Sequence, residues 1–175
     1  MRSIPDPGFA GDDGSADPEV AAALAAYARA DAVSEAMQRN AALAALQDAR
    51  VLVPVVALPE EVEYDGQGVA RDKKSDMAAV LMTGRDGRTA LLAFTSTAAL
   101  GLWEGSKKDG DARPVPVTTR QAARAAIQEQ AEALVLDVAG PVMLVVEADG
   151  LRALALGHRL VPLESGQWAW VTVPG

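Results

Sequence analysis

The sequence predicts an α/β chain of the α+β kind: one mixed sheet with helices packed on it, preceded by an N-terminal helical extension. Three observations predict it. Hydrophobic spacing is helical up to about residue 48 and turns into short continuous apolar runs from Val51 onward. Beyond that point strand-length runs and helix-length stretches follow one another. Finally, 175 residues, half of them apolar, are enough for one sizeable core. Aromatic residues make up only 4%, so that core must be built from Ala, Val and Leu. Such side chains suit tight packing of helices on a sheet better than a large open ligand cavity, which aromatic rings commonly line.

The elements follow in chain order. Residues 1–17 are rich in Gly, Pro and Asp and read as a flexible leader, with Ile4 and Phe9 as the apolar residues that could dock. Residues 18–175 read as a single domain. Asp17 at N-cap and Pro18 at N1 begin a helix whose Val20, Leu24 and Tyr27 share a face. A second helix, about 33–48, carries Met37, Leu43 and Leu46. Val51 to Leu58 reads as a strand, with Pro54 requiring an edge or a bulge because it lacks a ladder donor. Residues 59–75 read as an exposed loop. The apolar runs 77–83 and 89–94 flank Gly84-Arg85-Asp86-Gly87, a strong hairpin signal. Thr95-Ser96-Thr97 supplies caps for a short helix to about Trp103. A polar loop at 104–113 leads to Pro114-Val115-Pro116-Val117-Thr118, an edge strand at best.

Thr118 or Thr119 then caps a helix over 120–131, with Ala123 and Ile127 on its buried face. Strands at 133–138 and 142–146 flank Ala139-Gly140-Pro141, a helix spans 148–156, and the alternating tail 167–173 forms the last strand. The pattern predicts six or seven strands in all. Residues 77–103 and 133–156 share the order strand, turn, strand, helix, as a likeness of pattern only.

Composition excludes several chemistries. With no cysteine there is no disulfide, thiolate metal site or thiol nucleophile. A net charge of −8, spread along the chain, forfeits the counterion release that drives nucleic-acid binding. The start of the chain has no signal-peptide run, and no window approaches a membrane span, so a cytoplasmic location without membrane association is expected. No cofactor is expected either.

No catalytic constellation emerges. His158 is the one histidine, and no Gly-x-Ser-x-Gly elbow accompanies it; it reads as a turn residue after Gly157. Glu60-Glu61-Glu63-Asp65 and Asp12-Asp13 lack calcium-loop spacing and read as solvated surface. Gly66-Gln67-Gly68 is a turn, not a nucleotide loop. Lys73-Lys74 and Lys107-Lys108 read as solvated pairs that could flank a common acidic partner. Thr95, Ser96 and Thr97 open a helix, where free amides and hydroxyls can hold a carboxylate or phosphate, although capping alone accounts for them equally well. Arg88 would assist an anion there. Trp103 reads as core. Trp168 and Trp170 share a parity, so their rings face either the core or a partner. With three Trp, two Tyr and two Phe in the whole chain, the core is the favoured side.

The order of several segments resembles the SseB-like family, specifically the SseB N-terminal domain of actinobacterial type. These are Ala49-Arg50-Val51-Leu52-Val53-Pro54-Val55, Lys74-Ser75-Asp76-Met77-Ala78, Asp86-Gly87-Arg88, Phe94-Thr95-Ser96 with Ala99, Leu100 and Trp103, Arg113-Pro114-Val115-Pro116-Val117, and Leu134-Val135-Leu136-Asp137 with Ala139-Gly140-Pro141. The resemblance covers about 43–156, leaving the first helix and the Trp-rich tail outside. It implies an α/β domain, carries no catalytic residues, and does not imply an enzyme. The functional expectation is a non-catalytic interaction or regulatory module that contacts a protein partner or self-associates. The alternative is a sensor for a small anionic metabolite, such as an amino acid, at the helix start near Thr95.

Overall fold

A computed structural model describes residues 8–57, 77–105 and 112–174. Asp17 starts α1 (Pro18–Ala28) by accepting the amides of Glu19 and Val20. Helix α2 (Glu35–Leu46) follows and packs on it. The chain then becomes sheet: β1 (Arg50–Ala57), β2 (Met77–Ala79), β3 (Leu81–Thr83) and β4 (Thr89–Ala93). The run 77–83 is thus divided at Val80, which leaves one partner for another: its amide donates to Pro54 and its carbonyl accepts from Leu92. Gly87 closes the hairpin at φ +81°, a left-handed conformation that glycine adopts without strain. Next come α3 (Thr97–Leu102), β5 (Arg113–Thr118), α4 (Thr119–Gln128), β6 (Ala133–Leu136), β7 (Leu144–Glu147), α5 (Ala148–Ala155), β8 (Arg159–Pro162) and β9 (Trp168–Val171).

The strands form an antiparallel group β2-β1-β5, a mixed group β3-β4-β6-β7 in which β4 and β6 run parallel, and the hairpin β8-β9. Leu52 and Phe94 join the first two groups by exchanging both backbone bonds at 2.8 Å.

The prolines fit this topology in detail. In an antiparallel pair a residue's N–H and C=O point the same way. Since Leu52 and Pro54 face Phe94 and Val80, the pairs Leu52–Pro116 and Pro54–Pro114 lie at non-hydrogen-bonded positions of the β1–β5 ladder. Pro114 and Pro116 therefore place their missing donors on the outer side of β5, and Pro54 places its own where the partner strand changes. The sequence expectation of an edge strand at 114–118 holds, with Arg113 added to its start, and Pro54 breaks no β1–β5 bond.

Alternation along the strands divides the core over two faces. Val51, Val53, Leu91, Ala93, Leu134 and Leu136 point to the larger cluster, covered by α1, α2, α4 and α5. Leu52, Leu92, Phe94 and Val135 point to the smaller one, with Ala99 of α3. Trp103 packs there as expected, its ring 5.6 Å from that of Phe94.

Several expectations require correction. Ile127, expected on the buried face of its helix, is 42% exposed, beside hollows lined by Leu151, Arg152 and Ala155, which spacing alone does not reveal. Strand β8 was not anticipated, because Arg159–Pro162 is four residues long with a charge at one end and a proline at the other. Among the described residues nine strand segments stand where six or seven are expected, from that omission and the division at Val80. The second half of the expected leader is bound back on the domain. Asp12 pairs with Arg50 at 2.8 Å, and the Gly14 carbonyl accepts the Thr97 amide at 2.9 Å. The loop 59–75, Lys73-Lys74, Lys107-Lys108, Glu60-Glu61-Glu63-Asp65 and Gly66-Gln67-Gly68 lie outside the described residues. Among the described residues, no helix is long and apolar enough to cross a membrane.

Candidate functional site

Parallel strands β4 and β6 end side by side, and the residues just past their carboxyl ends meet. Thr95 is buried there, and Asp137, 2% exposed, sits in a left-handed conformation at φ +51°. That backbone turns the carboxylate onto Thr95: Oδ1 accepts the Thr95 amide at 2.8 Å and Oδ2 accepts the hydroxyl at 2.7 Å. The Asp137 amide donates to Ala93, which ties the two strand ends together. Arg50, at the start of β1, donates to the Thr95 carbonyl at 2.9 Å and carries its ion pair to Asp12. A polar chain thus runs from the N-terminal segment to the floor of the site.

Above this floor lies a groove of about 530 Å³ between α1 and α3. Its walls are mostly apolar, with Leu24 and Ala25 from α1, Leu102 from α3, and Pro141 and Val142 from the β6–β7 connection; Arg29 stands at the rim. In α/β sheets, ligands favour the space outside the carboxyl ends of parallel strands. This groove occupies that place.

The polar groups of the floor already have partners. Ser96 caps α3 by accepting the Ala99 amide at 3.0 Å. Thr97 gives both its amide and its hydroxyl to Gly14. Gly14 comes close because it has no side chain: a Cβ there would stand 2.6 Å from Thr97 Cγ2, and its φ is +80°. The Thr95, Thr97 and Ala99 amides are therefore used internally.

The other expected contact residues lie elsewhere. Arg88 is exposed on the hairpin turn, paired with Asp86 at 2.7 Å and Glu147 at 3.0 Å, and lines a different hollow with Ile127 and Leu151. Trp168 and Trp170 belong to β9, half-buried against the larger cluster. His158 sits half-exposed in the turn before β8, its carbonyl accepting from Arg120. Asp137 is the site residue that sequence reasoning left without a role. Its one signal was an acidic residue closing the run Ala133 to Leu136. Among the described residues, no group of three acidic or histidine side chains could hold a metal ion.

Burial pushes the Asp137 carboxyl above its ordinary value, and the two bonds from Thr95 pull against that. The sign follows directly. Below the unfolded value of 3.8 both states hold the proton. Above it the unfolded chain releases its proton first, so the stability that Asp137 contributes is lost as pH rises through its folded value. Asp137→Asn removes the ionisation and keeps the acceptor for the Thr95 amide, in a conformation Asn tolerates. In urea titrations at several pH values, the variant is expected to gain on the wild type as pH rises from 3.8 toward neutrality. Asp137→Ala should instead cost about 2–6 kcal/mol, because it orphans two buried donors at about 1–3 kcal/mol each. A parallel pH dependence in wild type and Asn variant would reject this account.

The chain matches the family model described as the SseB protein N-terminal domain over residues 20–153. The match takes in α1 from Val20 onward, beyond the segments that carry the resemblance, and with it the α1 and α3 walls of the groove. The hairpin β8-β9 lies beyond it. No curated protein and no solved structure matches the chain.

Proposed function

The chain belongs to the SseB N-terminal domain family, and from that premise we propose that it is a non-catalytic interaction module whose contact surface is the groove between α1 and α3. One observation carries this reading: the groove is apolar in its walls, while the polar groups of its floor are bonded to one another. An enzyme needs groups poised to exchange protons or attack a substrate. Here Asp137 is held by Thr95, and the Thr97 and Ala99 amides of α3 are taken by Gly14 and Ser96. What such a groove offers is apolar area with a fixed shape, which suits a partner's side chains.

The reading as a sensor of an anionic metabolite has less to support it. An anion at the start of α3 would have to displace Gly14 from Thr97 and approach the Asp137 carboxylate. Thermal-shift screening with amino acids and phosphorylated metabolites is expected to give no stabilisation.

Leu102 provides the test. It is 57% exposed on the wall of the groove, so Leu102→Glu should change stability by no more than about 0.5 kcal/mol. It places a charge where an apolar partner must sit. Proteins recovered from native lysate on the wild-type chain are expected to be lost on the variant. If both recover the same set, or neither recovers any, the groove is not the contact surface.

A further inference from the structure

We infer that the outer edge of β9 is a self-association site, at which a second copy of this chain adds its own β9 in antiparallel register. The inference starts from the backbone of Leu160. Its N–H donates to Gln47 Oε1 at 2.9 Å and its carbonyl accepts from Gln47 Nε2 at 3.3 Å. Leu160 therefore points away from β9, and the pair Leu160–Trp170 is a non-hydrogen-bonded one. By the same alternation, the N–H and C=O of Trp168 and Trp170 point outward, away from β8. Neither residue's backbone has a hydrogen-bond partner among the described residues. The indole rings face the domain's own core while the main chain presents an open ladder.

Three other edges are at least partly protected. On β5, Pro114 and Pro116 have no outward donor, and the Thr118 amide donates to Gln121 at 2.8 Å. On β7, Arg39 from α2 donates to the Val145 carbonyl at 2.6 Å. On β8, Gln47 occupies Leu160. Prolines and covering side chains are how sheets avoid edge-to-edge pairing, and β9 carries none of them. Residues 165–174 hold no ionisable side chain.

The absence of charge selects the occupant. Two copies of a chain with net charge −8 repel each other, so they meet most easily where the surface carries none. The segment is also self-complementary. A two-fold axis at Ala169 sets Trp168 against Trp170 of the second copy and the reverse, and each of these pairs exchanges both backbone bonds. The resulting sheet runs β8-β9-β9-β8.

Ala169 faces its own copy across the axis, on the side of β9 opposite the indoles, and the backbone groups of Ala169 point toward β8. Ala169→Glu and Ala169→Lys each set like charges directly opposite, which destabilises the pair. In analytical ultracentrifugation the wild type is expected to pass from monomer to dimer with rising concentration. Each variant alone should remain monomeric, and an equimolar mixture of the two should dimerise again. Hydrogen exchange on the wild type gives a second readout, valid even if a variant fails to fold: the Trp168 and Trp170 amides should slow with concentration. A wild type that stays monomeric, a dimer that survives Ala169→Glu, or amides at 168 and 170 that exchange equally fast in the dimer would each overturn the inference.

Discussion

Deleting residues 167–175 is expected to unfold the domain rather than trim it. Trp168 and Trp170 lie against the larger cluster, and a Cβ placed on Gly150 of α5 would come within 3.9 Å of the Trp170 ring. Fully buried tryptophans cost about 3–5 kcal/mol each on truncation, so two half-buried ones together cost about 3–6 kcal/mol. The deletion also strips β8 of its ladder and uncovers Leu160, which is buried. The combined loss is comparable with a whole typical stability of about 5–15 kcal/mol. Circular dichroism melting of the 1–166 fragment checks it: a cooperative transition at the wild-type temperature would show that the tail is not part of the core. Ala169→Glu separates the two roles of β9, since it blocks pairing with a second copy and leaves both rings in place.

Gln47→Leu is expected to cost about 2–4 kcal/mol, although Leu fills nearly the same space and is more apolar. Gln47 is buried at the end of α2, and its amide takes the place of a neighbouring strand by serving both backbone groups of Leu160. Leucine leaves that N–H and C=O in a buried site without partners, at about 1–3 kcal/mol for each orphaned group. Urea unfolding should show a lower midpoint with an unchanged slope, and the Leu160 amide should lose protection from exchange. Equal stability of the variant would mean that water or a shift of β8 replaces the amide.

The parts of the fold that were legible in the sequence are those decided within a few residues. The hairpin at 77–94 is written in Asp86-Gly87, because the left-handed position of its turn admits Gly readily. The start of α1 is written in Asp17-Pro18, and that of α4 in Thr118, whose capping box with Gln121 spans three residues. The edge position of β5 is written in Pro114 and Pro116, since a residue without a donor must face outward. The site was legible only in part. The run Thr95-Ser96-Thr97 reads equally as a helix cap and as an anion site, and what decides between them, the partners Gly14 and Asp137, lies far away in the chain.

What the sequence by itself determined is the class of the fold and the order of most of its elements, the absence of cysteine chemistry, and the parity that sends both tail indoles to one side. These rest on local sterics, on hydrogen-bonding capacity and on periodicity, each fixed by neighbouring residues. Only the tertiary structure decided which side that is, that Ile127 faces outward, that Asp137 turns onto Thr95, and that Gln47 stands in for a strand at Leu160. Those outcomes join residues 42 and 113 positions apart. A helical face is buried only if another element arrives to cover it, and a polar group is satisfied only if its partner is delivered there. Periodicity gives the direction in which a side chain points; packing alone supplies what it meets.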